Sequence, residues 1–155
     1  KTLKVPNTGM AVTMDIGNPD NIHPTNKRTV GKRLALWALT QDYGYKNLSY
    51  SGPLFESLEI KGGKAIISFT HTDGGLRAGG SPLTHFEIAG KDQIFYPAQA
   101  KIKGKKIVVS SKMVPEPLAV RFAFHNTDEP NLFNKAGLPA SSFRTDDWPI
   151  FDDQE

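Results

Sequence analysis

The chain has 155 residues, enough for one domain or for one domain plus part of another, and its 38% apolar, 10% aromatic and 23% charged side chains are typical of a globular protein. The formal net charge of +3 and the absence of cysteine exclude a strongly basic nucleic-acid surface, disulfides and thiolate metal sites. No apolar run approaches the ~18 residues of a membrane-spanning helix, so we expect neither nucleic acid nor a membrane as partner.

The first predicted elements are a strand, a loop and a helix. Residues 10–16 are rich in β-forming side chains between two glycines, which predicts a strand, and a loop follows at 18–24. Thr25 or Asn26 can cap a helix over 26–43, where a glycine stops it. Apolar side chains cover an unusually wide part of this helix, so another element or another chain should cover that surface.

From residue 50 onward, short alternating runs replace the helical pattern. The run 54–60, the pair Gly62-Gly63 and the returning run 65–71 predict a β-hairpin. Further runs lie at 84–88, 93–96, 99–102, 107–111 and 118–124, and lysines on either side of Gly104 indicate a solvated hairpin turn. Without intervening helices, these runs predict a mainly β fold: an antiparallel β-sandwich or jelly-roll-like domain after one strand–loop–helix unit.

The segment 125–155 is rich in Asn, Pro, Asp and Ser. We expect it to be an ordered loop held by four large apolar side chains: Leu132, Phe133, Phe143 and Trp148. Aromatic side chains can stack on sugar rings, which makes Trp148 and Phe133 candidate ligand-binding residues, although most aromatics of a β-sandwich belong to its core. His71 and His85 could be metal ligands, but their predicted strand positions favour solvated or core histidines. The segment 125–129 has oxygen ligands for Ca²⁺ without their regular alternation, and we interpret it as a turn. We therefore expect no metal and no cofactor.

An acid–histidine pair is the strongest chemical motif. Asp20 precedes His23 by three residues on the loop before the helix, and a loop allows both side chains to turn the same way. In serine hydrolases a histidine takes the proton of the nucleophile, and a carboxylate fixes the tautomer of that histidine. The same spacing is also typical of a turn capped by Asp20 with His23 as a half-buried loop residue, and both interpretations stay open at this point.

Several sequence blocks, in order along almost the whole chain, carry a family resemblance. The blocks are 9–17, 21–24, 26–27, 30–44, 50–54, 86–90, 108–111, 119–121 and 137–148. Together they resemble the C-terminal portion of the sialate O-acetylesterase-like family, carbohydrate O-acetylesterases of the SGNH hydrolase superfamily. The resemblance implies two units, a C-terminal βα piece of an SGNH α/β hydrolase domain at 1–47 and a β-sandwich with an ordered terminal loop at 48–155.

The resemblance also implies roles for individual residues. His23 matches the general base and Asp20 is its best acid partner, with Asp15 in reserve, because the family often carries the carboxylate where this chain has Asn18 and Asn21. The implied activity is removal of O-acetyl groups from sialic acids or other sugars, in the periplasm or in secreted form. An acetylated carbohydrate is thus the expected partner.

The nucleophile of that family is missing from this sequence. Family members carry the serine on a Gly-Gln-Ser or Gly-Asp-Ser loop far upstream, and no serine here lies in a glycine-flanked strand-to-helix turn. We therefore expect the chain alone to be inactive, and we expect its helix 26–43 to contact the missing N-terminal esterase region or a second copy. The alternative is a stand-alone β-sandwich module for carbohydrate binding or interaction.

Overall fold

The computed structural model describes residues 2–80 and 82–150, and within them the fold is mainly β, with antiparallel sheets and one α-helix. The helix, α1, comprises Lys27–Gln41, and 3-10 turns lie at Thr2–Lys4 and Met14–Ile16. The strands are β1 Leu54–Lys61, β2 Lys64–Thr70, β3 Leu76–Ala78, β4 Phe86–Ala89, β5 Phe95–Pro97, β6 Gln99–Lys103, β7 Lys106–Ser110, β8 Ala119–Phe122, β9 Leu132–Asn134 and β10 Phe143–Arg144. The mainly β fold predicted from the alternating runs is confirmed.

The first sheet has the strand order β1-β2-β7-β6 and contains both predicted hairpins. Gly62 and Gly63 join β1 to β2 with φ of 56° and 69°, the left-handed backbone that a tight hairpin turn requires and that glycine adopts without strain. Gly104, with φ of 63°, turns β6 into β7, and the surrounding lysines are exposed as predicted. Ile67 and Ile107 face each other across β2 and β7 and are completely buried.

The second sheet has the order β10-β8-β4-β5, and a small third sheet pairs β3 with β9. Phe86 of β4 lies opposite Phe122 of β8, and Phe122 also lies opposite Phe143 of β10. These three rings point to the same side and are buried, whereas the neighbouring Arg121 faces the other side of the sheet. The period of two therefore separates one apolar face from one polar face.

The buried faces of the two larger sheets share one hydrophobic core. Phe143 connects them, since its ring centroid lies 5.1 Å from that of Phe55, 5.7 Å from Phe69 and 5.6 Å from Phe122. Burial of a phenylalanine side chain contributes roughly 1.5–3 kcal/mol, so this ring from the terminal segment is a substantial stabilising contact.

The strand predicted at 10–16 is not formed. Residues 10–13 have no regular secondary structure and lead into the 3-10 turn Met14–Ile16, because no strand of the described residues lies beside them to complete a ladder. Arg33 of α1 satisfies part of this backbone instead of a neighbouring strand: it donates a 2.6 Å hydrogen bond to the Val12 carbonyl and pairs with Asp15.

The helix begins and ends close to where the sequence predicts. The Asn26 side chain accepts a hydrogen bond from the Thr29 amide at 3.2 Å, and the left-handed Gly44, with φ of 75°, follows the last turn. The apolar surface of α1 is only partly covered, since Leu34 is 51% exposed. Across residues 2–80 and 82–150, no helix is long and apolar enough to span a membrane.

An aromatic ladder joins α1 to the sheets. The Trp37 and Tyr50 rings meet edge to face at 4.7 Å, and Tyr50 and His71 do the same at 5.1 Å. Gly9 lies so close that a Cβ there would approach the Trp37 ring to 2.8 Å, so the segment before the helix packs on the same ladder. The Tyr50 ring thereby bridges α1 and His71, the residue that directly follows β2.

The terminal segment is ordered where it is described, and it is more regular than the predicted loop. It adds β9 and β10, with Leu132 and Phe143 buried and with Phe133 and Trp148 half-buried. Its last residues, 151–155, lie outside the described part of the chain.

Candidate functional site

The acid–histidine loop lies between the 3-10 turn Met14–Ile16 and α1, and two asparagines shape it. The Asn18 side chain accepts from the Asp20 amide at 2.9 Å, and the Asn21 side chain accepts from the His23 amide at 2.8 Å. Each is a side-chain turn of the kind that asparagine forms with the residue two positions on. These two bonds explain the asparagines beside the motif: they fix the backbone on which Asp20 and His23 are placed.

Asp20 and His23 are both exposed. Within the described part of the chain, neither side chain makes a hydrogen bond or an ion pair, so the imidazole and the carboxylate are not joined here. The half-buried histidine of the alternative interpretation is therefore not what the structure has. An open imidazole on a loop of fixed backbone can accept a proton from a group brought to it.

Asp15 has a different environment from Asp20. Its two oxygens accept hydrogen bonds of 2.6 and 2.7 Å from the guanidinium of Arg33, and the two side chains are only 14% and 9% exposed. A bidentate pair of this kind is strong and directional. Asp15 therefore anchors the start of the loop to α1, and both of its oxygens are occupied.

Two acid–histidine contacts that were missed from sequence lie beside β4 and in the turn after β8. His85 Nδ1 lies 2.9 Å from Asp128 Oδ1, and His125 Nε2 lies 3.1 Å from Glu87 Oε2. The other Asp128 oxygen accepts from the His125 amide at 3.1 Å, which closes the predicted turn at 125–129. His85 and Asp128 are far apart in sequence, so no local spacing of residues could predict this pair.

The two aromatic candidates are each in contact with neighbouring side chains. The Phe133 ring carries the Arg77 guanidinium carbon 4.9 Å from its centroid, and the Trp148 ring lies 5.8 Å from that of Phe95. Both residues keep part of their surface exposed. They lie on different strands and segments, and they do not touch each other.

A buried carboxylate of the terminal segment, Asp146, is paired with arginine. Burial raises the pKa of Asp146, but hydrogen bonds and charge from Arg121, with further charge from Arg144, outweigh it and hold that pKa below its ordinary value. Arg121 donates to both Asp146 oxygens at 3.0 and 2.9 Å. This pair lies apart from the acid–histidine loop in sequence and joins the terminal segment to β8.

Known proteins similar to this chain are carbohydrate esterases. No protein-family model matches it. The crystal structure of a carbohydrate acetylesterase from Xanthomonas citri superposes with a TM-score of 0.89 and 48% identity, over 95% of this chain and 34% of that one. Sialate O-acetylesterases are also similar: the Homo sapiens protein is 44% identical and the Rattus norvegicus protein 42% identical, each over 72 residues.

These relatives are much longer than the region that they share with this chain. The match covers 44% of this chain and only 14% of the human protein or 13% of the rat protein. The predicted resemblance to a C-terminal portion of the sialate O-acetylesterase-like family is confirmed.

Proposed function

We propose that this chain supplies the acid–histidine part of a carbohydrate O-acetylesterase site, with His23 as general base and Asp20 as the carboxylate that orients it. The observation that carries the proposal is the 48% identity to a carbohydrate acetylesterase over 95% of the chain. The serine and the oxyanion donors would come from residues beyond these 155. The serine oxygen would attack the acetyl carbon as its proton passes to His23, and His23 would return that proton to the sugar oxygen as the ester bond breaks. A water deprotonated by His23 would then attack the acyl-enzyme, releasing acetate and restoring the serine.

The local geometry favours Asp20 over Asp15 as the partner of His23. Arg33 occupies both oxygens of Asp15, whereas the exposed Asp20 carboxylate is free to turn toward the imidazole. Catalytic hydrogen bonds are often unformed before substrate and all parts of a site are assembled. An Asp20–His23 contact that closes on assembly is therefore consistent with two open side chains in this chain.

We also propose that residues 1–47 complete an α/β hydrolase unit, whereas 48–155 form a β-sandwich that accompanies it. Two features of α1 support this division, because both leave room for a further element against the helix. Leu34 is 51% exposed, and a Cβ added at Gly31 would have no described atom within 4 Å. A glycine within a helix costs about 1 kcal/mol relative to alanine, which suits a position where another element comes close. The remaining esterase region is the occupant we propose, and a second copy of the chain is the alternative.

The test is acetyl-ester hydrolysis by the longer protein that contains this chain. His23→Ala should lower kcat by about a thousandfold, the usual order for loss of a general base. Asp20→Asn should lower it less, because the base remains but loses its orienting carboxylate. The exposed neighbour substitution Ile22→Ala is the matched control and should stay within about twofold.

The isolated 155-residue chain provides the complementary measurement. It should hydrolyse an O-acetylated sugar no faster than its own His23→Ala variant, because the base has no nucleophile to activate. Full activity of the longer His23→Ala protein, or hydrolysis by the isolated chain that does not depend on His23, would refute the proposal.

A further inference from the structure

A polar cleft lies between the acid–histidine loop and the turn after β8. One wall consists of Thr13, Met14, Gly17, Asn18 and Pro19, and the other consists of Asn126, Thr127, Asp128 and Glu129. The cleft encloses about 200 Å³. Two of its lining residues, Asn18 and Pro19, lie just before Asp20 in the acid–histidine loop. We refer to it as the loop cleft.

The wall formed by 126–129 is held in place from behind. The Asp128 side chain is 13% exposed and uses both oxygens, one with His85 Nδ1 at 2.9 Å and one with the His125 amide at 3.1 Å. The Asp128 amide donates to the His125 carbonyl at 3.2 Å, and the His125 ring contacts Glu87 of β4 at 3.1 Å. The turn is thus fixed to the second sheet before any ligand arrives.

The front of the same wall carries polar groups that are not used internally. Asn126, Thr127 and Glu129 are exposed, and within the described residues their side chains make no hydrogen bond or ion pair. On the facing wall, Asn18 uses its carbonyl oxygen for the Asp20 amide and leaves its amide nitrogen unbonded among those residues. Two amides, a hydroxyl and a carboxylate together offer both donors and acceptors.

This combination suits a sugar. A ring with several hydroxyl groups presents alternating donors and acceptors, which a fixed cleft with matching groups binds without reorganising itself. We propose that the loop cleft binds a hydroxylated sugar unit of the substrate, beside the position where the ester meets His23. The inference rests on the proposed function, and it assigns Asn126 and Thr127 as the residues that contact the sugar.

Binding is measured on the isolated chain by amide chemical shifts, with sialyllactose and acetylated xylo-oligosaccharide as two separate probes. At least one probe should shift the amides of Asn126, Thr127 and Asn18 with saturation. Asn126→Ala should raise the dissociation constant at least tenfold. Asn47→Ala, at another exposed asparagine with no bond among the described residues, is the matched control and should change nothing.

Kinetics of the longer protein give a second readout. Asn126→Ala should raise KM at least fivefold and leave kcat unchanged, because the contact binds substrate and takes no part in proton transfer. Either effect, confined to Asn126→Ala, supports the loop cleft. Absence of both effects overturns it, as does sugar binding that is lost in Trp148→Ala or Phe133→Ala and kept in Asn126→Ala.

The two proposals can fail separately. A longer His23→Ala protein with full activity removes the proposed function, and sugar-induced shifts at Asn126 would still report binding in the loop cleft. A thousandfold loss of activity in His23→Ala would support the proposed function. If Asn126→Ala then leaves both KM and the dissociation constant for the sugar unchanged, sugar binding in the loop cleft is refuted.

Discussion

Replacement of Asp146 by asparagine tests how the terminal segment is held on the second sheet. The Asp146 side chain has no exposed area, and it accepts two hydrogen bonds from Arg121 while Arg144 lies 3.7 Å away. Arg121 itself lies between two rings, 3.9 Å from the centroid of Phe95 and 4.7 Å from that of Phe124. Asp146→Asn keeps the shape, removes the charge and leaves the cation of Arg121 largely buried.

The expected loss follows from that geometry. Removing one partner of a buried ion pair costs about 3–5 kcal/mol, because the other charge is left uncompensated. Arg121 keeps 14% of its side-chain surface exposed, and it keeps both rings, so we expect the low end, about 3 kcal/mol. For a chain of this size that corresponds to a fall in Tm of roughly 6–12 °C.

The assay is urea unfolding of the 155-residue chain at neutral pH, with Asp147→Asn as the matched control. Asp147 is the exposed neighbour and makes no bond among the described residues, so its substitution should change the free energy of unfolding by less than about 0.5 kcal/mol. A loss below about 1 kcal/mol for Asp146→Asn would contradict the reasoning, since it would mean that Arg121 needs no buried carboxylate.

The pH dependence gives the same prediction an independent check. The folded-state pKa of Asp146 is lowered from its ordinary value of 3.8, so its stabilising effect is complete well above pH 3.8. That effect is lost as the pH falls below 3.8 and passes through the folded-state pKa, because the unfolded state then binds more protons. Asp146→Asn should therefore lose less stability than the parent chain over this acidic range.

Two further substitutions test the helix and the loop before it. Asp15→Asn should lower the free energy of unfolding by about 2 kcal/mol, because Arg33 keeps its hydrogen bond to the Val12 carbonyl and loses its carboxylate partner. Asp20→Asn is the exposed control. Equal losses of stability for the two variants would contradict a structural role for Asp15. Gly31→Ala should raise the free energy of unfolding of the chain by about 0.5–1 kcal/mol in urea, because no described atom lies within 4 Å of the added Cβ. A lower free energy of unfolding would mean that another element covers the helix at this point.

Local signals in the sequence are sufficient for the hairpins and the helix cap. A two-glycine turn selects one hairpin geometry, and an asparagine before a helix satisfies a free amide, so Gly62-Gly63 and Asn26 can be interpreted without knowledge of the rest of the fold. The strand predicted at 10–16 fails for the opposite reason. A strand is stable only with a neighbour, and its β-forming residues do not reveal whether one is present. The short strands β9 and β10 were missed because their partners, β3 and β8, are distant in sequence.

In the candidate site, too, local contacts could be predicted from the sequence and contacts between distant residues could not. Asp20, His23 and their asparagines lie within one loop, so their proximity could be predicted from sequence spacing alone. The pairs His85–Asp128 and Arg121–Asp146 depend on how the second sheet and its terminal segment pack, and no periodic pattern links those positions. The pairing of Asp15 with Arg33 likewise depends on tertiary packing, and it distinguishes the reserve candidate Asp15 from the first candidate Asp20.

Under the two proposals, the arrangement of the loop determines what each part of the chain contributes to catalysis. Asp15 and Arg33 tie the loop to α1, and the Trp37, Tyr50 and His71 rings link α1 to the residue after β2. The opposite wall of the loop cleft is tied to the second sheet through Asp128. Both sheets share one core, so a sugar held between the walls is positioned against the loop of His23 by a single packed body. Under the second proposal, the β-rich part of the chain would therefore contribute substrate binding, which is measured as KM, and the loop before α1 would contribute the base.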